Sequence, residues 1–234
     1  MLFARVPVPG RVKTRLADHL GGRGACALYG AFLEDAARIY RRDAEWDPVL
    51  LADPDPDDAA IAGIFSDGWR RRPQAAGALG ERLTEAFRHE LSRGASAAAA
   101  VGADHPSLRL ARVREMFAAL GRDADAVVIP AQDGGYCAIG VRASVGTRVA
   151  ELFRGIPWST GRVLEETVAR FEDAGLTWRA LPSAYDVDLP EDVDRLRAEL
   201  DARDPTEEDY PAATSRALAL AAAPRRREAP AVSA

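Results

Sequence analysis

Apolar positions recur along the chain with two periods, and the alternation between them outlines the fold. Ala25, Leu28, Tyr29, Phe32, Leu33, Ala36 and Ile39 mark one face of a helix with 3.6 residues per turn. Runs at 48–52, 97–102 and 125–131 are apolar almost throughout, the pattern of strands covered on both faces. Residues 2–6 form a shorter run, too little for a normal central strand, as if the chain started a few residues inside its first element. Helical periods at 79–93, 107–120, 145–153, 159–173 and 190–200, with a last short run at 176–181, complete the series. This alternation predicts an α/β fold, a mostly parallel sheet with helices on both faces, as one domain over 1–203. Residues 204–234, rich in Ala and Pro and without a sustained period, are expected to be a disordered tail.

Composition narrows the partners. The chain has 234 residues, 31 basic and 36 acidic, for a net charge of −5, so no general electrostatic attraction draws it to nucleic acid or an anionic membrane. No apolar run is long enough to span a bilayer, and Arg5 comes too early for a secretory leader; the expected location is cytoplasmic. Cys26 and Cys137 lie far apart without CxxC spacing and read as buried thiols, not as a zinc motif or a disulfide.

Charge becomes informative locally. All basic residues are arginine except Lys13, the only lysine, and Lys13 stands in a stretch with Arg5, Arg11 and Arg15 that contains no acid. Gly10, directly after a strand, lets backbone N–H groups turn toward an anion, and Lys13, Thr14 and Arg15 are donors suited to phosphate oxygens. The stretch is neither a P-loop nor GxGxxG. Acids complement it: Asp104, Asp133, Asp186 and Asp188 each follow an apolar run, where the carboxyl ends of strands in an open α/β sheet form the ligand crevice. Carboxylates beside a phosphate site suit Mg²⁺ or Mn²⁺. Two of them have alternative readings: Asp188 has capping-box spacing to Glu191, and Asp104 precedes His105 and Pro106 in what could be a turn. His105 itself reads as a turn residue.

Six stretches in order, residues 3–16 (FARVPVPGRVKTRL), 77–82 (GALGER), 102–106 (GADHP), 130–136 (PAQDGGY), 156–160 (IPWST) and 186–192 (DVDLPED), resemble the DUF2064 family. Those proteins are glycosyltransferase-A-fold, Rossmann-like transferases, also described as selenodomain-associated or arsenosugar-biosynthesis-type. The resemblance implies that Arg5, Gly10, Arg11, Lys13, Thr14 and Arg15 hold a nucleotide diphosphate, with Gly80 and Arg82 near the nucleoside. It implies Asp104 as metal ligand in place of a DxD motif and Asp188 as a second. Two positions depart from the family: Ala78 stands where it has an acid, and Arg5 where it usually has lysine, a fork in place of a point charge.

Asp133, Gly134, Gly135 and Tyr136 are candidate acceptor-binding residues, with Asp133 the candidate base; the alternative is a tight turn in which glycine supplies a positive φ and Tyr136 packs. Trp158, Ser159 and Thr160 are further acceptor candidates, although Ser159 by default caps the helix that follows. The implied function is a metal-dependent glycosyltransferase in which Lys13, Asp104 and Asp133 carry the chemistry on a nucleotide-diphosphate sugar and a small acceptor. A nucleotidyltransferase that releases pyrophosphate from an NTP, and a non-catalytic nucleotide-binding protein, remain as alternatives.

Overall fold

A computed structural model describes residues 1–41, 45–66 and 68–222. In chain order the elements are β1 (Leu2–Arg5), α1 (Ala17–Arg41), β2 (Val49–Asp53), α2 (Ala59–Ala62), β3 (Arg70–Pro73), α3 (Leu79–Ser92), β4 (Ala97–Gly102), α4 (Leu110–Arg122), β5 (Ala126–Pro130), β6 (Tyr136–Arg142), α5 (Val149–Leu152), α6 (Val163–Asp173), β7 (Trp178–Ala180), α7 (Pro190–Asp201) and α8 (Ala212–Ala222). All seven strands join one sheet in the order β3-β2-β1-β4-β6-β5-β7. Every pairing is parallel except those of β6, which runs antiparallel to both β4 and β5. The α/β reading of the sequence therefore holds, with one reversed strand inserted in the sheet.

Strand alternation divides the core into two layers. Leu50, Ala52, Ala99, Val101, Val127 and Ile129 pack with Leu33 and Phe32 of α1, Met116 and Leu120 of α4, and Leu196 of α7. Their neighbours Ala98, Ala100, Ala126 and Val128 face the opposite way, toward Phe87 of α3, Leu152 of α5 and Phe171 of α6. Strands buried on both faces explain why their sequences are apolar without alternation.

Several elements differ from the expectation. β3 carries three arginines, and its side chains are held by acids: Arg70 and Arg72 meet buried Glu90 of α3, and Arg71 meets Asp57. An edge strand satisfied by ion pairs gives no apolar run to read. β6 follows the 131–135 turn as a hairpin partner, which the sequence reading did not distinguish from the loop. The helix expected from 159 starts at Val163, and the period at 145–153 is divided between a 3₁₀ turn (Ala143–Arg148) and α5.

The largest correction concerns the expected tail. Residues 204–222 are ordered by burial: Tyr210, Ala213, Thr214 and Leu218 are buried, and α8 packs along α1. Its start is fixed by Asp35 of α1, a buried carboxylate that accepts from the N–H groups of Ala213 at 3.0 Å and Thr214 at 2.7 Å. This is a helix N-terminus capped by a residue from another helix, which the tail's own composition could not reveal. Asp209, also buried, accepts from the N–H of Leu110 at 2.9 Å and so joins the same segment to α4. The part of the expected tail at 223–234 lies outside the described residues.

Replacing Asp35 by Ala leaves two buried donors without a partner, and the expected loss is about 2–3 kcal/mol of unfolding free energy. Urea denaturation of Asp35→Ala checks this; an unchanged midpoint and slope would show that α8 contributes nothing to the folded state.

Candidate active site at the carboxyl edge of the sheet

β1, β2, β4 and β5 end at the same edge of the sheet, and antiparallel β6 begins there. The segments leaving that edge carry the sequence-predicted residues, at 6–16, 103–109, 131–135 and 181–189. Their centre is Lys13. It adopts a left-handed conformation (φ 47°, ψ 42°) that ends the loop and starts a short 3₁₀ turn, Thr14–Leu16. Its side chain is 3% exposed, and Nζ lies 2.5 Å from Asp104 Oδ1 and 2.8 Å from Asp188 Oδ1. The Phe32 ring is 5.8 Å from the ammonium. Burial disfavours the charge, but the two carboxylates outweigh that cost and hold the Lys13 pKa above its ordinary value.

The acid side chains, by contrast, are 47% exposed at Asp104 and 41% at Asp188, so this cation pair is closed toward the core and open toward solvent. The backbone secures their spacing, since the N–H of Val187 donates to the carbonyl of Asp104 at 3.1 Å. Asp188 is not the cap of α7. The N-cap is Leu189, and Asp192 at the third helical position reaches back to accept from the N–H groups of Asp188 at 3.0 Å and Leu189 at 2.7 Å, which leaves the Asp188 carboxylate to Lys13. Asp104 likewise directs its side chain to Lys13 and not into a local turn.

Arg5 at the end of β1, and Gly10, Arg11, Thr14 and Arg15 in the segment that carries Lys13, are exposed. Gly10 has φ 78° with open space beside it, and Arg15 Nη1 lies 4.0 Å from Asp188 Oδ2. Two expected phosphate or nucleoside residues are engaged elsewhere. Arg82 bonds Asp53 and Gln74, each at 3.0 Å, and the carbonyl of Gly77 at 2.9 Å, which ties α3 to the end of β2. Gly80 is buried against the Phe153 carbonyl and the Trp158 indole, where a Cβ would fall 2.7 Å from the former; it is a packing position, not a ligand contact.

The two acceptor candidates are neighbours. Gly134 has φ 87°, and a Cβ there would lie 2.2 Å from the Gly161 carbonyl oxygen, so the 131–135 turn rests directly on the backbone of the 158–161 loop. The carbonyl of Gly134 accepts from the N–H of Leu164 at 2.9 Å. Asp133 is exposed and accepts from the N–H of Gly135 at 2.9 Å, the turn geometry that was the alternative reading. Tyr136 packs edge-on against Trp158, with ring centroids 6.4 Å apart, and its hydroxyl is buried, so it shapes the wall without presenting a donor to solvent. Ser159 does not cap α6. It has φ 62°, while the Thr160 hydroxyl bonds the Pro157 carbonyl at 2.7 Å and accepts from the N–H of Arg162 at 3.3 Å.

One cluster was missed. His105, expected in a turn, is buried with its side chain 7% exposed, and Nδ1 lies 3.2 Å from Asp186 Oδ1. Desolvation opposes its charge, but contacts with Asp186 and Cys137 push the His105 pKa up to about 10. Burial likewise works against ionised Asp186, and the charges of His105 and Lys13 overcome it, lowering the carboxyl below its usual range. Gly102 is needed for this approach, because a Cβ would lie 2.8 Å from His105 Nε2. The only sequence signal was the adjacency of Gly102 and His105 to Asp104.

Comparison with known proteins supports one lineage. The family model described as "Uncharacterized protein conserved in bacteria (DUF2064)" matches residues 36–160. A candidate nucleotide-diphospho-sugar transferase from Desulfovibrio desulfuricans G20 superimposes with TM-score 0.82 at 28% identity, covering 94% of this chain and 95% of that one. A 4-diphosphocytidyl-2C-methyl-D-erythritol synthase from Anaerococcus prevotii DSM 20548 has TM-score 0.58 at 13% identity, covering 86% and 95%. A cytidylyltransferase from Leptospira borgpetersenii has TM-score 0.53 at 14% identity, covering 94% and 91%. At those identities the last two show the fold alone. No curated protein matches the chain.

Gly134→Ala would place a Cβ against Gly161 and force a strained φ, with an expected destabilisation of about 1–3 kcal/mol. Chemical denaturation gives the magnitude, and an increase in proteolytic cleavage confined to the two loops would locate it.

Proposed function

Because the chain belongs to the DUF2064 family, we propose that it is a metal-dependent glycosyltransferase using a nucleotide-diphosphate sugar and a small-molecule acceptor. The observation that carries this reading is the meeting of Lys13, Asp104 and Asp188 from three distant parts of the chain, with the exposed arginines of the 6–16 loop beside them. Likeness to the Desulfovibrio protein over nearly the whole of both chains adds to it.

In this reading the donor diphosphate lies over the basic loop. Arg11, Thr14 and Arg15 donate to its oxygens together with backbone N–H groups near Gly10, and Lys13 turns from the carboxylates to the phosphate. The residues fit a divalent cation: two half-exposed carboxylates already share one positive charge, and the solvent side leaves room for water and phosphate ligands. Bound there, Mg²⁺ or Mn²⁺ would neutralise charge that develops on the leaving diphosphate. Asp104 and Asp188 hold it, and the buried ammonium keeps their orientation when it is absent. The acceptor lies toward the joined loops, with Asp133 as the exposed carboxylate that takes the hydroxyl proton and with Gly134, Gly135, Trp158, Ser159 and Thr160 forming the rim.

A nucleotidyltransferase reading is favoured by the cation density of the same loop. Arg5, Arg11 and Arg15 are all exposed around Lys13, more positive charge than a diphosphate requires and a good match for a triphosphate. Pyrophosphate release from NTP and sugar-phosphate mixtures separates the two readings.

Calorimetric titration of UDP-, GDP- and ADP-sugars with and without Mn²⁺ tests the proposal. Metal-dependent binding of at least one is expected, and no binding of any sugar nucleotide overturns it. Lys13→Ala is expected to weaken nucleotide affinity at least tenfold and to tighten Mn²⁺ binding in the absence of nucleotide, because the variant no longer supplies its own cation to the carboxylates. Equilibrium binding of Mn²⁺, followed by electron paramagnetic resonance, reads the second effect.

A further inference from the structure

Behind the Lys13 centre lies a second group of ligating side chains for which the proposed reaction has no use. We propose that His105, Cys137 and Asp186 form a metal site selective for Zn²⁺, separate from the solvent-facing carboxylates Asp104 and Asp188. One ligand atom from each of the three residues lies within 4.8 Å of the others. They come from three elements: the segment after β4, the start of β6 and the segment after β7. No spacing rule in the sequence could have joined them.

One pair of donors already has the spacing of an occupied site. Tetrahedral zinc holds nitrogen and oxygen ligands at about 2.0 Å, which puts them roughly 3.3 Å apart. His105 Nδ1 and Asp186 Oδ1 are already 3.2 Å apart. Asp186 Oδ1 is buried, and its near partner is His105 Nδ1 at 3.2 Å, a contact short of a well-formed hydrogen bond, so a bound ion would satisfy an oxygen that the imidazole engages incompletely. Besides its long contact, 3.8 Å, to the Pro130 carbonyl, the Cys137 thiol interacts with His105. The histidine and aspartate already form an ion pair, and the sulfur, within 4.8 Å of both, completes a set of three donors. A metal ion engages all three groups.

Donor chemistry separates this site from the outer one. Sulfur, imidazole nitrogen and one carboxylate suit a borderline-soft ion such as Zn²⁺, whereas the oxygen-only pair Asp104 and Asp188 suits Mg²⁺ or Mn²⁺. Binding replaces the proton on the thiol and any proton on Nδ1, and both leave to solvent as the metal–sulfur and metal–nitrogen bonds form. His105 directly follows Asp104, and Asp186 is two residues before Asp188, so the inner ion would brace both loops that carry the outer carboxylates.

Chelator-treated protein titrated with Co²⁺, a spectroscopic substitute for Zn²⁺, provides the test. One equivalent is expected to bind with a thiolate-to-cobalt charge-transfer band that one equivalent of Zn²⁺ removes. Cys137→Ser should abolish the band, Cys26→Ser should retain it, and Asp186→Asn should weaken Co²⁺ binding at least tenfold. Absence of the band in the unmodified protein, or its survival in Cys137→Ser, overturns the proposal. Should Cys137→Ser fail to fold by circular dichroism, undiminished Co²⁺ affinity in Asp186→Asn overturns it equally. The outer carboxylates contain no sulfur and give no such band, so this result is independent of whether sugar nucleotides bind.

Discussion

A buried ammonium held by two carboxylates is the constraint around which this molecule is arranged. Taking a lysine head group out of water is costly, and its charge survives only because acids from two other loops approach it closely. The three residues are joined by no local sequence, so the sheet must deliver them. It does so by ending β1 and β4 at one edge and by returning the segment after β7 across that edge, where the Val187 to Asp104 backbone bond fixes the separation. Loss of Lys13 would leave two carboxylates facing each other without a counter-charge, and loss of either acid would leave the buried ammonium one partner in place of two, so the three residues together favour this one arrangement of the loops.

The division of exposure within that group has chemical consequences. Lys13 faces the core and Phe32, whereas the oxygens of Asp104 and Asp188 face solvent. A ligand arriving from outside meets two carboxylates first and exposed arginines beside them, a surface with both signs of charge. Such a surface discriminates by the arrangement of its charges and not by sign alone.

Much of this was legible in the sequence, for identifiable reasons. The buried parallel strands announced themselves because both of their faces are apolar, and the cation loop because Lys13 is the sole lysine in a stretch without acids. Elements governed by partners elsewhere in the chain were not legible. β3 is stabilised by arginine pairs to buried Glu90, and α8 by Asp35, far away in α1. Arg82 bonds Asp53 and Gln74, partners that no local pattern names. Local rules also assigned a cap to Asp188 and Ser159, but the N-cap positions fall at Leu189 and Arg162, one and three residues further on. His105 lay next to Asp104 in the sequence, but Asp186 and Cys137 were needed to give it an environment.

The backbone contact between Gly134 and Gly161 has a mechanical implication. With no side chain between them, the two stretches cannot slide past each other or separate without breaking van der Waals contact. Pressure on either is transmitted to the other, so the 131–135 turn and the 158–161 loop behave as one stiff unit.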